Sequence, residues 1–338
     1  RKKILLDLLK VKYHFQIKEY QNLKYKKDKN LLELNHLPNQ MHGVCFLVEK
    51  TNLKKMIILV TEERMVWQVN LSIPEIKPNE VLVRLYTSGI NPSDTKKRSG
   101  AFPNLLDSGP IIPHSDGAGV IENVGEEIDK KRIGERVFVY QAQHNRRMGT
   151  AAQYVAISAS RAPKLPDSAS FEEGACIGIP IMTAHRCVFA TGDVKNQNLL
   201  ITGGAGRVAS YAIQWAKHAG AKVFTTASNP LDADFCLEMG AEHVINHRNS
   251  SWGAELDSLC GDKKIDHVID CEFGANLMNV LQCIRTGGVI STYGSTLDAS
   301  PTIPFRDMMF KDLTIRMIIV YDMPESAKID AVRDTQEM

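Results

Sequence analysis

The stretch Leu199–Ser228, LLITGGAGRVASYAIQWAKHAGAKVFTTAS, decides the fold. A short apolar run (Leu199 to Ile201) enters a glycine-rich turn. A helix-period pattern follows through Ile213, Trp215, Ala216 and Ala219, then a Gly220-Ala221 stop and a second strand-like run. Strand, glycine turn, helix, strand is the context that a dinucleotide-binding turn requires. Gly204, Gly206 and Ala209 fit the G-x-G-x-x-G/A spacing, in which the first glycine makes the tight turn and the second admits a pyrophosphate. The third small residue lets helix and strand pack closely. The helix N-terminus then offers unpaired N–H groups and a partial positive charge to phosphate.

An acidic residue about 20 positions past the glycines reads the ribose hydroxyls of NAD. Here the second strand ends in Ala227, Ser228 and Asn229, with no carboxylate. A small hydroxyl at that place leaves room for a 2′-phosphate. The next predicted strand, His243 to Ile245, runs into Asn246-His247-Arg248, which supplies donors and charge or forms an ordinary solvated loop. Asp232 and Asp234 nearby weaken the positive field. The balance favours NADP over NAD.

Working outward, the remainder of the chain divides in composition. Of 338 residues, 43% are hydrophobic and 24% charged, ordinary for a globular protein. Residues 1–55 carry a net charge of +8 and the rest −6, so a basic head precedes a mildly acidic body. Such a head could contact nucleic acid or an anionic surface. It lacks a clean amphipathic period and contains acidic residues, so it matches neither a transit peptide nor a secretory signal. It reads as an extension outside the fold, translated ahead of a start at Met56. No apolar run approaches the ~20 residues that span a bilayer, so no membrane role is expected. Seven scattered cysteines without a C-x-x-C argue against a disulfide framework or a structural zinc, and for a reduced, cytoplasmic setting.

From Met56 to about Tyr140, short strands punctuated by Gly and Pro form a β-rich module: Met56–Val60, Val66–Leu71, Glu80–Leu85, Ile121–Val124 and Arg136–Tyr140. Around Phe171 to Thr191 the period becomes helical, and after Asn198 strands and helices alternate as in a doubly wound parallel sheet. Later strands are predicted at Val268–Asp270, Val289–Tyr293 and Thr314–Val320.

Several strings occur together in order: IPEIKPNEVLVRLYTSGINPSDTKKRSG (Ile73–Gly100), IIPHSDGAGVIENVG (Ile111–Gly125), GIPIMTAHR (Gly178–Arg186), the glycine turn, GAEHVINHR (Gly240–Arg248) and RTGGVISTYGS (Arg285–Ser295). The set resembles the zinc-free, zeta-crystallin-like quinone oxidoreductases of the medium-chain dehydrogenase/reductase superfamily, over about residues 56–325. That resemblance implies an α/β protein: a GroES-like, β-barrel-like catalytic domain over 56–180 and a Rossmann domain, a doubly wound parallel sheet, over 181–320. Residues 321–338 would begin a truncated return to the catalytic domain. It implies NADPH as cofactor, a homo-oligomer, and hydride transfer to a quinone or α,β-unsaturated carbonyl (enone) substrate.

Carried over by residue, the resemblance puts the pyrophosphate turn on Ala205, Gly206, Arg207 and Val208, and the 2′-phosphate near Ser228 and His247, with Arg248 beside them. Thr292, Tyr293, Gly294 and Ser295, with Ile318, Ile319 and Val320, flank the nicotinamide half. Asn91 matches the orienting asparagine beside the nicotinamide, and Thr183 a threonine near the carboxamide. The chain also departs from the family. Tyrosines on the substrate side of several relatives align with Lys96 and Phe102, His114 stands where a glycine is usual, and Arg207 replaces a small residue. Arg207 adds a charge-assisted phosphate bond or faces solvent. Lys96 and Arg98 could meet charge developing on the substrate oxygen, or form a solvated face.

No metal is expected. Zinc-dependent relatives place Cys or His where Asn91 stands and have a cysteine lobe, absent between Gln141 and Gln153. His114 and Asp116 alone make a poor site and read instead as a histidine on a turn and a carboxylate bonding backbone amides. Without a Lewis acid to hold an alkoxide, alcohol oxidation by a zinc-type dehydrogenase is disfavoured. A non-enzymatic NADPH-binding protein with an RNA-binding role, carried by the basic head, is the alternative from another class.

Overall fold

The computed structural model describes Cys45–Leu47, Ile57–Val60 and Val66–Val69 as backbone strands, and residues 71–338. Most of the basic head, and with it Met56 and the RNA reading, lies outside the described residues. Two compact units are present: residues up to Ile179 together with Val332–Met338, and Pro180–Ala331. No helix among the described residues is long and apolar enough to cross a membrane.

The first unit is built on antiparallel pairing. Strands β1 (Cys45–Leu47), β4 (Glu80–Gly89), β5 (Asp116–Val124) and β6 (Arg136–Val139) lie in that order, and β7 (Tyr154–Ser158) pairs with β4; β2 (Ile57–Val60) and β3 (Val66–Val69) form a separate hairpin. The β-branched residues that alternate along β4, β5 and β7 supply its core: Val81, Val83, Ile121, Val155 and Ile157 are fully or almost fully buried. Strand β4 runs four residues beyond the predicted Leu85 because Thr87, Ser88 and Gly89 continue the ladder with Ala118, Gly117 and Asp116. Hence β5 begins at Asp116, five residues earlier than predicted. A short helix, α1 (Pro92–Arg98), follows β4, with Asn91 as its N-cap residue and Pro92 at its first position.

The helical stretch predicted around Phe171 to Thr191 is two helices, α2 (Phe171–Gly174) and α3 (Ile179–Phe189). A capping box starts α2: Ser170 Oγ accepts from the Glu173 amide, and Glu173 Oε2 accepts from the Ser170 amide at 2.7 Å. The chain breaks before α3 at Gly178, where a Cβ would overlap the Asp116 carboxylate.

The second unit is a six-stranded parallel sheet in the order β10-β9-β8-β11-β12-β13, formed by β8 (Asn198–Ile201), β9 (Lys222–Ala227), β10 (His243–Asn246), β11 (Ile265–Asp270), β12 (Ile284–Thr292) and β13 (Thr314–Met317). In chain order this is 3-2-1-4-5-6, the doubly wound arrangement whose strand order reverses between β8 and β11. Helices α4 (Arg207–His218), α5 (Pro230–Met239), α6 (Trp252–Cys260) and α7 (Phe273–Cys283) connect the strands. Leu200, Phe224, Leu256, Val268, Val280 and Ile290 form one core layer. Helix α4 buries Ala209, Ala212, Ile213, Trp215 and Ala216, the face that its sequence period marks. A short helix, α8 (Phe305–Phe310), precedes β13, and a thirteen-residue helix, α9 (Glu325–Glu337), follows it. The strand predicted to reach Val320 stops at Met317: the Ile318 amide still donates to Thr292 O at 2.8 Å, and then the pairing ends.

His267 sits inside this sheet on β11, 1% exposed, with Nε2 2.9 Å from Ser291 Oγ of β12. Burial opposes its charging and brings its pKa down to about 4, against the attraction of Asp266. An unfolded chain therefore takes up a proton near pH 6.5 that the folded chain refuses. Its contribution is intact above about pH 6.5 and is lost as pH falls toward 4, by roughly 3 kcal/mol at the lower end. Urea unfolding of His267→Gln across that range is expected to show a shallower loss of stability with falling pH than the unsubstituted protein.

Candidate functional site

The second unit gathers most of the sequence-predicted residues at the carboxyl ends of its strands, beside the reversal between β8 and β11, where ligands bind in open α/β sheets. After β8 the chain turns through Thr202–Gly206 into α4. The residue that takes the left-handed conformation is Gly203, at φ 63°, one position before the first glycine of the motif. Gly204 answers a different constraint, the approach of β9. A Cβ there would overlap Thr225 Oγ1 and stand 2.7 Å from Cys236 Sγ. Thr226 pins the turn from the same strand: its Oγ1 accepts from the Gly203 amide and its carbonyl from the Gly204 amide, both at 2.9 Å. Gly206 is the N-cap residue of α4, without a side-chain cap. The amides of Arg207, Val208 and Ala209 therefore begin a twelve-residue helix with no intrahelical acceptor. A turn without side-chain bulk leading to uncapped helix amides fits a pyrophosphate.

On the other side of the reversal, Asp270 ends β11. Its Oδ1 accepts from Thr202 Oγ1 (2.6 Å), Asn276 Nδ2 (2.8 Å) and the Glu272 amide (3.1 Å). Burial raises its pKa and these bonds pull it back. The Thr202 hydroxyl in turn accepts from the Cys271 amide at 3.0 Å. The network ties the exit of β8 to the exit of β11, and none of its members stood out in the sequence. Only the position of Asp270 at the end of an apolar strand hinted at it.

Strands β9 and β10 pair in parallel with Ala227 opposite Asn246, so Ser228 and His247 leave the sheet at the same level. The His247 amide donates to Ala227 O at 3.3 Å. His247 and Arg248 are exposed, and burial of the ring together with Arg248 lowers the His247 pKa. At the end of β12, Thr292 is buried and its hydroxyl donates to Gly294 O at 3.2 Å; Ser295 Oγ accepts from the Gly274 amide at 2.9 Å. Burial raises the Tyr293 phenol well above its ordinary range, keeping it neutral. Ile318 and Val320 are buried while Ile319 is 57% exposed. Thr183 is buried in the second turn of α3.

The first unit holds a separate polar cluster around Asn91. Asn91 Nδ2 donates to Asp116 Oδ2 at 2.8 Å, and the Ile179 amide donates to the same oxygen at 2.8 Å. The Asn91 amide nitrogen donates to Asp94 Oδ2, also at 2.8 Å. His114, at φ 73°, occupies the left-handed region that favours glycine. Its Nδ1 lies 2.9 Å from Ser88 Oγ, which lies 3.0 Å from Thr150 Oγ1, which donates to Asp116 O at 2.5 Å. A carbonyl only accepts and each hydroxyl has one proton, so the chain has one direction: His114 Nδ1–H to Ser88, Ser88 to Thr150, Thr150 to the carbonyl. His114 and Asp116 thus sit as a histidine on a turn and a carboxylate bonding backbone amides.

Lys96, the sequence-predicted cation, is exposed on α1, and Phe102 is 48% exposed. It is Lys97 that turns inward, donating to Gln143 Oε1 at 2.7 Å. Burial lowers the pKa of Lys97 and His114 and raises that of Asp94; it lifts Asp116 to about 7 against the pull of the Asn91 and Ile179 bonds. Among the described residues no group of three or more His, Cys, Asp or Glu is placed to hold a metal ion.

The comparisons with known proteins follow these two units. The zinc-binding dehydrogenase family matches residues 208–335, and the alcohol dehydrogenase GroES-like domain matches residues 77–167. Quinone oxidoreductase of Sus scrofa is 33% identical over 262 residues, 77% of each chain, and that of Homo sapiens is 33% identical over 251 residues, 73% of each. The solved Escherichia coli quinone oxidoreductase, complexed with NADPH, is 25% identical with a TM-score of 0.71, covering 83% of this chain and 87% of that one. With GroES-like and Rossmann units both present, the chain belongs to the quinone oxidoreductase family of the medium-chain dehydrogenase/reductase superfamily.

Proposed function

We propose that the protein is an NADPH-dependent, zinc-independent reductase of quinones or α,β-unsaturated carbonyls. The observation that carries the reading is the nucleotide edge of the second unit. A bulk-free turn opens onto uncapped helix amides, and the neighbouring strand ends offer Ser228, His247 and Arg248 with no carboxylate in the ribose position. The relatives named as quinone oxidoreductases, one of them solved with NADPH, support the same cofactor and substrate class.

When bound, NADPH supplies the hydride, and the protein supplies binding and orientation. The pyrophosphate belongs on the amides of Arg207 and Val208 with Ala205 and Gly206 lining the turn, and the Arg207 guanidinium adds a charge-assisted bond. Ser228, His247 and Arg248 receive the 2′-phosphate. Thr292–Ser295 and Ile318–Val320 flank the nicotinamide half, with Thr183 for the carboxamide and Asn91 as the orienting amide for the ring. Lys96, exposed on α1, is the cation available to charge on a reduced substrate oxygen. The net reaction takes quinone, NADPH and one proton to hydroquinone and NADP⁺.

Zinc independence is supported by the chemistry of the donors in the first unit. An amide stands at Asn91 where zinc-dependent relatives carry a ligand, and Asp116 Oδ2 is taken up by two N–H donors. A reducing, cytoplasmic setting is supported by the scattered spacing of the seven cysteines, without a C-x-x-C.

Mixing the full chain with NADPH and a panel of quinones and alkenals, while following loss of nicotinamide absorbance, is expected to show turnover; none with any member defeats the reading. Arg207→Ala is expected to weaken NADPH binding by about tenfold, the worth of one charge-assisted hydrogen bond. The combined substitution Ser228→Ala, His247→Ala, Arg248→Ala is expected to erase the preference for NADPH over NADH in titrations with the two cofactors while leaving NADH affinity near its starting value.

A further inference from the structure

Thr202, between β8 and the glycine turn, spends every hydrogen-bonding position of its hydroxyl on two consecutive residues of β11. Its one proton goes to Asp270 Oδ1 at 2.6 Å, and one lone pair accepts from the Cys271 amide at 3.0 Å. With that proton committed, the 3.5 Å contact with Cys271 Sγ takes its hydrogen from the thiol, which fills the second lone pair. The ladder between β8 and β11 ends at Ile201 opposite Ile269, so these bonds are the last hold of β11 on the chain before it turns. Gly203 rests on the same thiol, since a Cβ there would stand 3.0 Å from Cys271 Sγ. The Gly203 carbonyl accepts from the Gly206 amide at 2.8 Å, and Gly206 is the N-cap residue of α4. An unbroken line of contacts therefore runs from the Thr202 hydroxyl to the uncapped helix amides.

We propose that Thr202 is a positioning residue for the nucleotide: its hydroxyl, bonded to Asp270, holds the glycine turn and the first amides of α4 at the level where a pyrophosphate binds. This role rests on the reading of the edge as a nucleotide site, and deepens it. Thr202 acts through Asp270, Cys271 and Gly203, not by contact with a phosphate. Asp270 serves by the placement of one oxygen. Its Oδ1 takes Thr202, Asn276 and the Glu272 amide, whereas among the described residues no donor reaches the buried Oδ2. Asp270→Asn therefore keeps the accepting oxygen and alters only the atom that no donor uses. Thr202→Val keeps the β-branched shape and removes the hydroxyl.

Amide hydrogen exchange, followed by two-dimensional NMR on the ligand-free full chain, reads the turn directly. Calorimetry reads the binding of NADP⁺ and of adenosine 2′-monophosphate, which has no pyrophosphate. The Gly204 amide donates to Thr226 O of β9 and not to β11, so it reports movement of the turn and not the lost Thr202 bonds themselves. In Thr202→Val that amide is expected to exchange about tenfold faster and NADP⁺ to bind about tenfold more weakly, the worth of a hydrogen bond to a charged group. Adenosine 2′-monophosphate affinity is expected to stay unchanged. Thr202→Ser, which keeps the hydroxyl, and Asp270→Asn are both expected to stay near the unsubstituted values. An unmoved Gly204 amide in Thr202→Val overturns the proposal, as does an equal loss of affinity for the two ligands, which marks a general loosening of the unit. Asp270→Asn as damaging as Thr202→Val overturns it too, because charge would then be the operative feature. If Thr202→Val fails to fold, Asn276→Ala, which frees Asp270 from α7, is expected to speed Gly204 exchange and weaken NADP⁺ about threefold; no change there overturns the proposal. An unsubstituted chain that binds neither ligand defeats the reading of the nucleotide edge and this role with it. NADP⁺ bound equally by the unsubstituted chain and Thr202→Val defeats this role alone.

Discussion

The nucleotide-binding unit depends on how closely the turn after β8 lies against β9. Gly204 has no side chain because Thr225 occupies the space that one would need, and Thr226 takes up the amides of Gly203 and Gly204. With the turn pinned in this way, Gly203 must enter the left-handed region, and Gly206 then starts α4 with its amides uncapped. A single methyl at Gly204 would push the turn away from β9 and with it the start of the helix. The dipole and the free amides are properties of any helix N-terminus; what this chain adds is their fixed place beside the strand reversal.

Asp270 and Thr202 complete that placement from the other side. Their bond joins the exits of β8 and β11, the two parallel strands between which the strand order reverses, and Asn276 from α7 holds the same carboxylate oxygen. The cost of burying a carboxyl is offset by three donors, and the same bonds keep the two strand ends at one level. A rigid edge is what a dinucleotide spread across the reversal would need.

The first unit reaches a comparable rigidity by polar means. Asp116 joins Asn91 to the first turn of α3, and a one-way chain of hydrogen bonds leads from His114 through Ser88 and Thr150 to the carbonyl of the same residue. His114 accepts an uncommon backbone conformation to take part, with φ at 73° in the left-handed region that favours glycine, and the Ser88 contact is what holds its ring there. Such buried, interlinked polar groups are more specific than an apolar core of equal volume and less tolerant of change.

How much of this could be read from the amino-acid order differs between the units. The alternation of apolar strands and helix-period segments after Asn198 specifies the parallel sheet, because that pattern buries its apolar faces only when helices cover both sides. The missing carboxylate after Ala227 and the pair His247-Arg248 are likewise local features. Boundaries were less legible: β5 began five residues early and β13 ended three residues short, since strand ends are set by a partner's ladder and not by composition. The left-handed φ of Gly203 and the crowding of Gly204 by Thr225 are outside what the motif tells, because spacing says nothing about which neighbour crowds which glycine. Lys96 and Lys97 are equivalent in sequence, and only the helix they share decides that one faces water and the other Gln143. The sequence by itself determined the family, the two units and the nucleotide edge, all of which rest on short-range order. Tertiary structure alone decided the partners of Asp116, Asp270 and His114, because the residues that satisfy a buried polar group come from segments as far apart as Thr202 and Asp270 or Asn91 and Ile179, and nothing but folding brings them together.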